Sequence, residues 1–368
     1  MNSVASSGIL HWVDTMKQAI LYSTVIALFS GVVASLAQSP AAESPTAQSS
    51  PLRSPSATNA PLPDPPVLNL PIDCKLGQDC FVQNYVDRDP SPNSRDFKCG
   101  SRTYNAHNGT DFRIQNHLAR KKGVAVLAAA AGNVDRLRDG EPDISVRVAG
   151  PTSVANKECG NAVVINHGDG WSTQYCHMAN GSIVVRPGQK VAAGDKIGAV
   201  GLSGNTEYPH LHISVRHNST LIDPFSYGSS EPCGGGQSLW SEALKSSLQY
   251  HEIEALNQGF ASLPVTMENI ESGDIIAHPL TKDGPLIAYI RVIGLKAGDV
   301  QTLTIFAPDG NSFASQTSPP SDTDKAQVFL SIGRRNSKGD FQSGEYKAVY
   351  TVTRANAEVF QSTFRATR

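Results

Sequence analysis

The chain has no excess of charge of either sign: 31 Lys and Arg stand against 33 Asp and Glu in 368 residues, a formal net charge of -2. Without a global basic field there is no long-range attraction for a phosphate backbone, and no nucleic-acid partner is expected. Residues 38–69, QSPAAESPTAQSSPLRSPSATNAPLPDPPVLN, have few large apolar groups and are dominated by Pro, Ser and Ala. Such a stretch cannot bury enough surface to offset the entropy of ordering it, so a disordered linker is expected there. The region 259–368 contains no cysteine and a single histidine, His278, which leaves binding or spacing for it rather than chemistry. Cysteine is also missing near the end of the N-terminal apolar stretch, which argues against lipid attachment at that point.

That apolar stretch lies in MKQAILYSTVIALFSGVVASLAQS, beginning at Met16. One lysine, an apolar run of roughly 15 residues and the small residues Ser35 and Ala37 have the order of a secretory signal. Residues 1–37 are therefore read as a signal peptide with Met16 as the start and the cut after Ala37. The run is at the short limit for crossing a bilayer, and its small-residue ending favours cleavage over a stable membrane anchor. A periplasmic or secreted location follows. The six cysteines, Cys74, Cys80, Cys99, Cys159, Cys176 and Cys233, form an even set in an exported chain and imply disulfides.

The length allows about two folded domains plus tails. Residues 70–228 show short apolar runs broken by Gly, Pro and Asn, the pattern of strands. NAVVINHGDGWSTQYCHM reads as a hairpin with strands over 161–166 and 171–177 and a turn at His167-Gly168-Asp169-Gly170. Residues 229–258 open on a Gly-rich break and continue as LWSEALKSSLQYHEIEAL, whose apolar spacing predicts a partly helical connector. Residues 259–368 return to short strand-like runs such as LIAYIRVIGL and EYKAVYTVTR, the spacing of a small β-sandwich. The fold class expected is mostly β, an antiparallel β core followed by a C-terminal β-sandwich.

Chemistry concentrates in three places. In PHLH, residues 209–212, strand alternation puts the imidazoles of His210 and His212 on one face and Leu211 on the other. His177 ends the return strand of the hairpin. HNGTD, residues 107–111, offers His107 and Asp111 around a helix-breaking Asn108-Gly109. Fully extended, those two would stand about 13 Å apart at about 3.3 Å per residue, so a bend is needed for both to reach one ion. Zinc in a hydrolase takes three protein ligands and keeps a position for water. Four histidines and a carboxylate exceed that need, and the surplus imidazoles suit proton transfer and oxyanion stabilisation. His117, His167, His217 and His251 sit in polar or turn contexts and are read as solvated. Arg102 and Asn105 are read as surface residues. Tyr208, beside the histidine pair, is a candidate for substrate contact. Cys176 is expected to face away from its neighbour His177, as adjacent strand residues do, and to pair with Cys159.

His107-x-Gly109-x-Asp111, then Tyr175-x-His177-Met178, then Pro209-His210-Leu211-His212, with VRPGQKVAAGDKIGAVGLSGNT and LIDPF around them, together resemble the M23 family of zinc metallopeptidases, the lysostaphin-like or LytM-like cell-wall endopeptidases. The resemblance spans roughly residues 100–226 and implies a peptidase domain over 70–228. It implies that His107, Asp111 and His212 bind Zn2+ while His177 and His210 are catalytic. It further implies a groove for a peptide, peptidoglycan as the partner, and hydrolysis of the amide bonds of its peptide cross-links. In a Gram-negative periplasm the bond would join diaminopimelate to D-alanine. The chain departs from the family pattern at Thr206-Glu207-Tyr208, where Ser-Thr-Gly is usual, and that bears on substrate preference. A catalytically silent wall-binding or hydrolase-activating protein of the same fold is the rival reading.

Overall fold

Runs rich in Val, Ile, Tyr and Thr, interrupted by Gly and Pro, favour a pleated half-buried surface over a helix, and strands dominate the chain. A computed structural model describes residues 64–278, 280–336 and 341–368. The expected signal peptide and the linker up to residue 63 lie outside the described residues. In chain order the first strands are β1 (Cys80–Asn84), β2 (Thr110–Ile114), β3 (Ala125–Leu127), β4 (Gly132–Arg138), β5 (Asn161–Gly168), β6 (Trp171–Met178), β7 (Lys190–Val191), β8 (Lys196–Ala199), β9 (His210–His217) and β10 (Thr220–Ile222). Eight of them form one antiparallel sheet in the order β1-β2-β9-β6-β5-β4-β7 with β10 beside β9, and β3 pairs with β8.

One face of that sheet carries the core. Alternate residues of neighbouring strands, Phe112, Val163, Ile165, Tyr175, Leu211, Ile213 and Val215, are buried in a single cluster. Each large side chain removed from water there contributes about 1.5–3 kcal/mol. The opposite face of β2 and β9 is thereby free for Asp111, His210 and His212.

The remaining strands are β11 (Glu254–Ala261), β12 (Leu286–Leu295), β13 (Val300–Phe306), β14 (Ser312–Thr317), β15 (Lys325–Arg334), β16 (Glu345–Arg354) and β17 (Ala357–Thr367). They make two antiparallel sheets, β11-β12-β15 and β14-β13-β16-β17. Ile290 and Val292 of the first sheet bury with Leu303, Ile305, Tyr350 and Val352 of the second in one core, a sandwich.

The structure differs from the sequence expectation at three boundaries. The linker does not run to residue 69: Leu68 is fully buried in the main core, donates its N–H to Leu239 and accepts from Ser241, both at 2.8 Å. The first large apolar residues after the Pro-rich run are enough to dock it. The connector has one 3-10 turn, Glu242–Leu244, because Leu239, Trp240 and Leu248 bury directly against the main core rather than on a helix of their own. Strand β11 then starts at Glu254, ahead of the expected 259. Arg102 is not a surface residue. It is buried, with its guanidinium bonded to Val82 O, to Gln83 O at 3.0 Å, to His251 O at 2.6 Å and to Glu254 at 3.2 Å. It ties the edge of the main sheet to the strands that follow, beside an apolar contact of Phe81 with Leu256 and Ile293. The disulfides are Cys74–Cys80, Cys99–Cys233 and Cys159–Cys176.

Asp223, just after β10, accepts the N–H of Phe225 at 2.9 Å on Oδ1, while its Oδ2 is buried without a partner. Burial pushes its pKa up from 3.8 to about 6. The folded state therefore holds this proton more tightly than the unfolded chain does, and stability falls as pH rises between about 4 and 6, by about 3 kcal/mol. Asp223→Asn keeps the Oδ1 acceptor and is expected to flatten that decline in melting temperature against pH. An unchanged slope would show that Asp223 does not carry it.

Candidate metal centre

Strands β2 and β9 run antiparallel with Asp111 opposite His212 and Arg113 opposite His210. With Leu211 in the core, alternation sends Asp111, His210 and His212 to the same face. His107 precedes β2 in a turn closed by its N–H to Tyr104 O at 3.0 Å. Gly109 lets that turn approach β9, since a Cβ there would lie 2.5 Å from His212 Nε2 and 2.6 Å from Ile213 O. The bend expected at Asn108-Gly109 thus has a steric cause at its glycine.

The result is a triangle. His107 Nε2 lies 3.2 Å from Asp111 Oδ1, His212 Nδ1 lies 2.9 Å from the same oxygen, and the two nitrogens are 3.2 Å apart. Ligands at about 2.0–2.1 Å from a tetrahedral ion stand about 3.3 Å from one another, so two imidazoles and a carboxylate at these separations fit a zinc-type ion. All three residues are buried. Their far sides are committed. His107 Nδ1 donates to Tyr85 O at 2.7 Å, which leaves the lone pair on Nε2. His212 Nε2 donates to Asn108 Oδ1 at 3.1 Å, which leaves the lone pair on Nδ1. Asp111 Oδ2 accepts from Asn84 Nδ2 at 2.9 Å.

The electrostatics of the three groups differ. Burial opposes charge on Asp111, but the imidazoles of His107 and His210 hold its carboxyl well below the usual range. Burial also works against a charged His107, and the Asp111 carboxylate more than offsets it, raising the pKa. For His212, burial wins and lowers the pKa although Asp111 opposes it.

His177 and His210 stand beside the triangle, their ring centroids 4.7 Å apart, and His210 Nε2 is 3.5 Å from Asp111 Oδ1. Here the strand alternation expected at Cys176 and His177 is broken. Cys176 pairs in register with His212, and His177 takes a left-handed φ of 59°, rare for a residue with a side chain. Three bonds hold that conformation: its N–H to Cys159 O at 2.8 Å, Gly201 N–H to its carbonyl at 2.9 Å, and Nδ1 to Ser203 O at 2.8 Å. Its ring centroid then comes within 5.9 Å of that of His212. Burial, with His210 and His212 adding to it, keeps the His177 pKa well below the ordinary value, so the ring is neutral. His210 Nδ1 faces Tyr208 O at 3.0 Å and Thr206 Oγ1 at 3.1 Å.

The structure thus brings His107, Asp111, His177, His210 and His212 into one cluster. Tyr208 stands next to it, its ring centroid 5.1 Å from that of His210. The other histidines stay outside: His167 is bonded to Ala131 O and Thr173 Oγ1, both at 2.8 Å, His217 stacks on Trp171, and His251 is exposed. His117, His167 and His217 are half-buried rather than solvated. Sequence reasoning missed Asn84, whose one signal is its position at the end of a strand, opposite Asp111. It also missed Tyr104, whose exposed ring lies 4.5 Å from that of His107.

One face of the β-sheet thus gathers a His/Asp/His triangle able to hold a metal ion, with two further imidazoles beside it. Residues 105–224 match the family model described as Peptidase family M23, and the chain carries a domain of that family. Among curated proteins it is similar to "Peptidoglycan DD-endopeptidase ShyA" of Vibrio cholerae, with 35% identity over 109 residues, 30% of this chain and 20% of that protein. It is also similar to "Murein hydrolase activator NlpD" of Escherichia coli, with 31% identity over 125 residues, 34% of this chain and 28% of that protein. The chain thus spans well under a third of the length of these relatives. A crystal structure of a putative peptidase M23 from Pseudomonas aeruginosa aligns at 26% identity, covering 45% of this chain and 51% of that one with a TM-score of 0.28.

Gly109→Ala is expected to displace the His212 ring and to weaken zinc binding about 10–100-fold, read by competition with a chromophoric chelator, with the disulfide-tied core still folded by circular dichroism. Unaltered affinity would show that the close approach at Gly109 does not position the ligand.

Proposed function

We propose that the chain is an exported zinc metalloendopeptidase that hydrolyses amide bonds in the peptide cross-links of peptidoglycan. The observation that carries this reading is the triangle of His107 Nε2, Asp111 Oδ1 and His212 Nδ1, each atom left with a free lone pair by the bond on its far side. Bound there, zinc supplies a Lewis acid for the scissile carbonyl and brings the pKa of the attacking water toward neutrality.

The chain's own residues do the rest. His177, held neutral with Nδ1 on Ser203 O, uses Nε2 to take the proton of the attacking water. His210, whose Nδ1–H is held by Tyr208 O, presents Nε2 beside Asp111 and bonds the developing oxyanion when that nitrogen is also protonated, while the proton His177 took from the water goes to the leaving amine. Ser203 and Tyr208 fix these rings by their carbonyls, so little reorganisation is needed during the reaction. Thr206-Glu207-Tyr208 forms a wall next to the cluster. It is braced from behind by Val146 N–H on Thr206 O at 2.9 Å and by Arg147 on Glu207.

Peptidoglycan as substrate is supported by the relatives, one named as a peptidoglycan endopeptidase and one as an activator of murein hydrolases. The likeness to the activator keeps a silent scaffold as the second reading. The complete set of His107, Asp111, His177, His210 and His212 in one cluster favours catalysis. The signal-like segment from Met16 to Ala37 and the disulfides favour a periplasmic or secreted site of action. The region from Glu254 onward forms the β-sandwich that follows the connector.

Purified sacculi incubated with the protein from residue 38 onward are expected to release uncross-linked muropeptides whose masses identify the bond. His107→Ala should abolish the release. No products from the wild type, together with enhanced release when it is added to a separate wall hydrolase, would favour the activator.

A further inference from the structure

Two arginines with fully buried side chains, Arg113 of the main sheet and Arg291 of the sandwich, share one carboxylate. It belongs to Glu271. To place it, the helices are α1 (His117–Lys122), α2 (Val146–Ala149), α3 (Met267–Ser272) and α4 (Asp274–Ala277). Helix α3 is fixed at its start by a capping box between Thr266 and Asn269, and Glu271 projects from its last turn. Its Oε2 accepts from Arg113 Nη2 at 2.7 Å and from Arg291. Arg291 also donates to Asn257 Oδ1 and to Gln115 O, each at 2.7 Å. Arg113 Nη1 donates to Gln83 Oε1 at 2.7 Å and to Gln327 Oε1 at 3.0 Å. Donors and acceptors from both sheets therefore meet in one buried network.

The far end of that network touches the metal centre's surroundings. Arg113 lies two residues after Asp111 and opposite His210 in register. Its guanidinium stands 3.9 Å from the centroid of the Tyr208 ring, a cation–π contact that is strengthened away from water. Tyr208 in turn bonds Asn84 through its hydroxyl at 3.4 Å and offers its carbonyl to His210 Nδ1 at 3.0 Å. Glu271 touches none of the five clustered residues. It reaches them through Arg113 and then Tyr208.

We propose that Glu271 is a positioning residue for the hydrolytic centre: it holds Arg113 beneath Tyr208 and so fixes the carbonyl that orients His210. The sandwich is on this account a structural part of the active centre and not only a spacer or a wall-binding module. The inference rests on the hydrolase reading for its kinetic consequence, but its geometric content stands apart from it. Loss of the carboxylate leaves two guanidiniums buried together without a counter-charge. Arg113 must then move from under Tyr208, and the wall segment 206–208 moves with it.

The test compares Glu271→Gln with Glu254→Gln in the full chain. Glu254 pairs with Arg102 across the same two regions but has no link to Tyr208. In Glu271→Gln, kcat is expected to fall about tenfold or more with KM within about threefold, the signature of a misplaced catalytic group. Glu254→Gln should stay within about twofold of wild type in both, by the same argument. Independently of activity, the His210 imidazole Nδ1–H signal of the 15N-labelled protein should shift or broaden in Glu271→Gln and stay in place in Glu254→Gln. Equal effects of the two variants, or an unmoved His210 signal in Glu271→Gln, overturn the proposal. If Glu271→Gln does not fold, Tyr208→Leu breaks the same link from the solvent side, and an unmoved His210 signal there overturns it equally. A wild type that releases nothing from sacculi would sink the hydrolase reading, and the imidazole signal would then decide the positioning role alone.

Discussion

Asp111 stands opposite His212 across β2 and β9, and the chemistry of the molecule depends on that register. A slip of one residue would turn the histidines of β9 into the core and Leu211 and Ile213 out of it, so the apolar residues that fold the sheet also aim the imidazoles. Asn84 opposes Asp111 on the other side, so three neighbouring strands contribute to holding one carboxylate. Gly109 allows the turn bearing His107 to close on the same point. The cost of bringing like groups together is spread over many ordinary contacts, and the donor atoms need no movement to converge.

Around that point the chain uses backbone carbonyls as orienting groups. Tyr85, Ser203 and Tyr208 each offer an oxygen to an Nδ1 of His107, His177 or His210. Carbonyls in loops fixed by strands and disulfides are rigid acceptors, and they set the tautomer of each ring. The left-handed backbone at His177 is part of this design. Its strain is held by Cys159, Gly201 and Ser203, with Cys159 itself tied to Cys176, so an oxidised state of the protein and a defined position of His177 go together.

Much of the cluster was legible in the sequence because its signals are local. PHLH needs only the two-residue period of a strand, and HNGTD announces its own turn. Strand-like runs also gave the β class and the two cores. What was not legible depends on distant partners. Asn84 looks like the end of any strand until β1 is laid beside β2. The reversal at Cys176 and His177 follows from Cys159 and Ser203 reaching in from other loops, which alternation along one strand does not encode. Arg102 reads as a solvated cation until four acceptors from two regions close around it. Leu68 and the 239–248 segment were misplaced for a related reason: burial against an existing sheet decided their conformation, not their own periodicity.

The central claim is that one metal ion sits among His107, Asp111 and His212. Anomalous diffraction from crystals of the zinc-loaded protein, collected on both sides of the zinc absorption edge, tests it most directly. The account predicts a single strong peak at about 2.0–2.1 Å from His107 Nε2, Asp111 Oδ1 and His212 Nδ1, with His177 and His210 outside bonding distance. A site without a peak, or a peak bonded to His177 or His210 in place of one of the three, would contradict it.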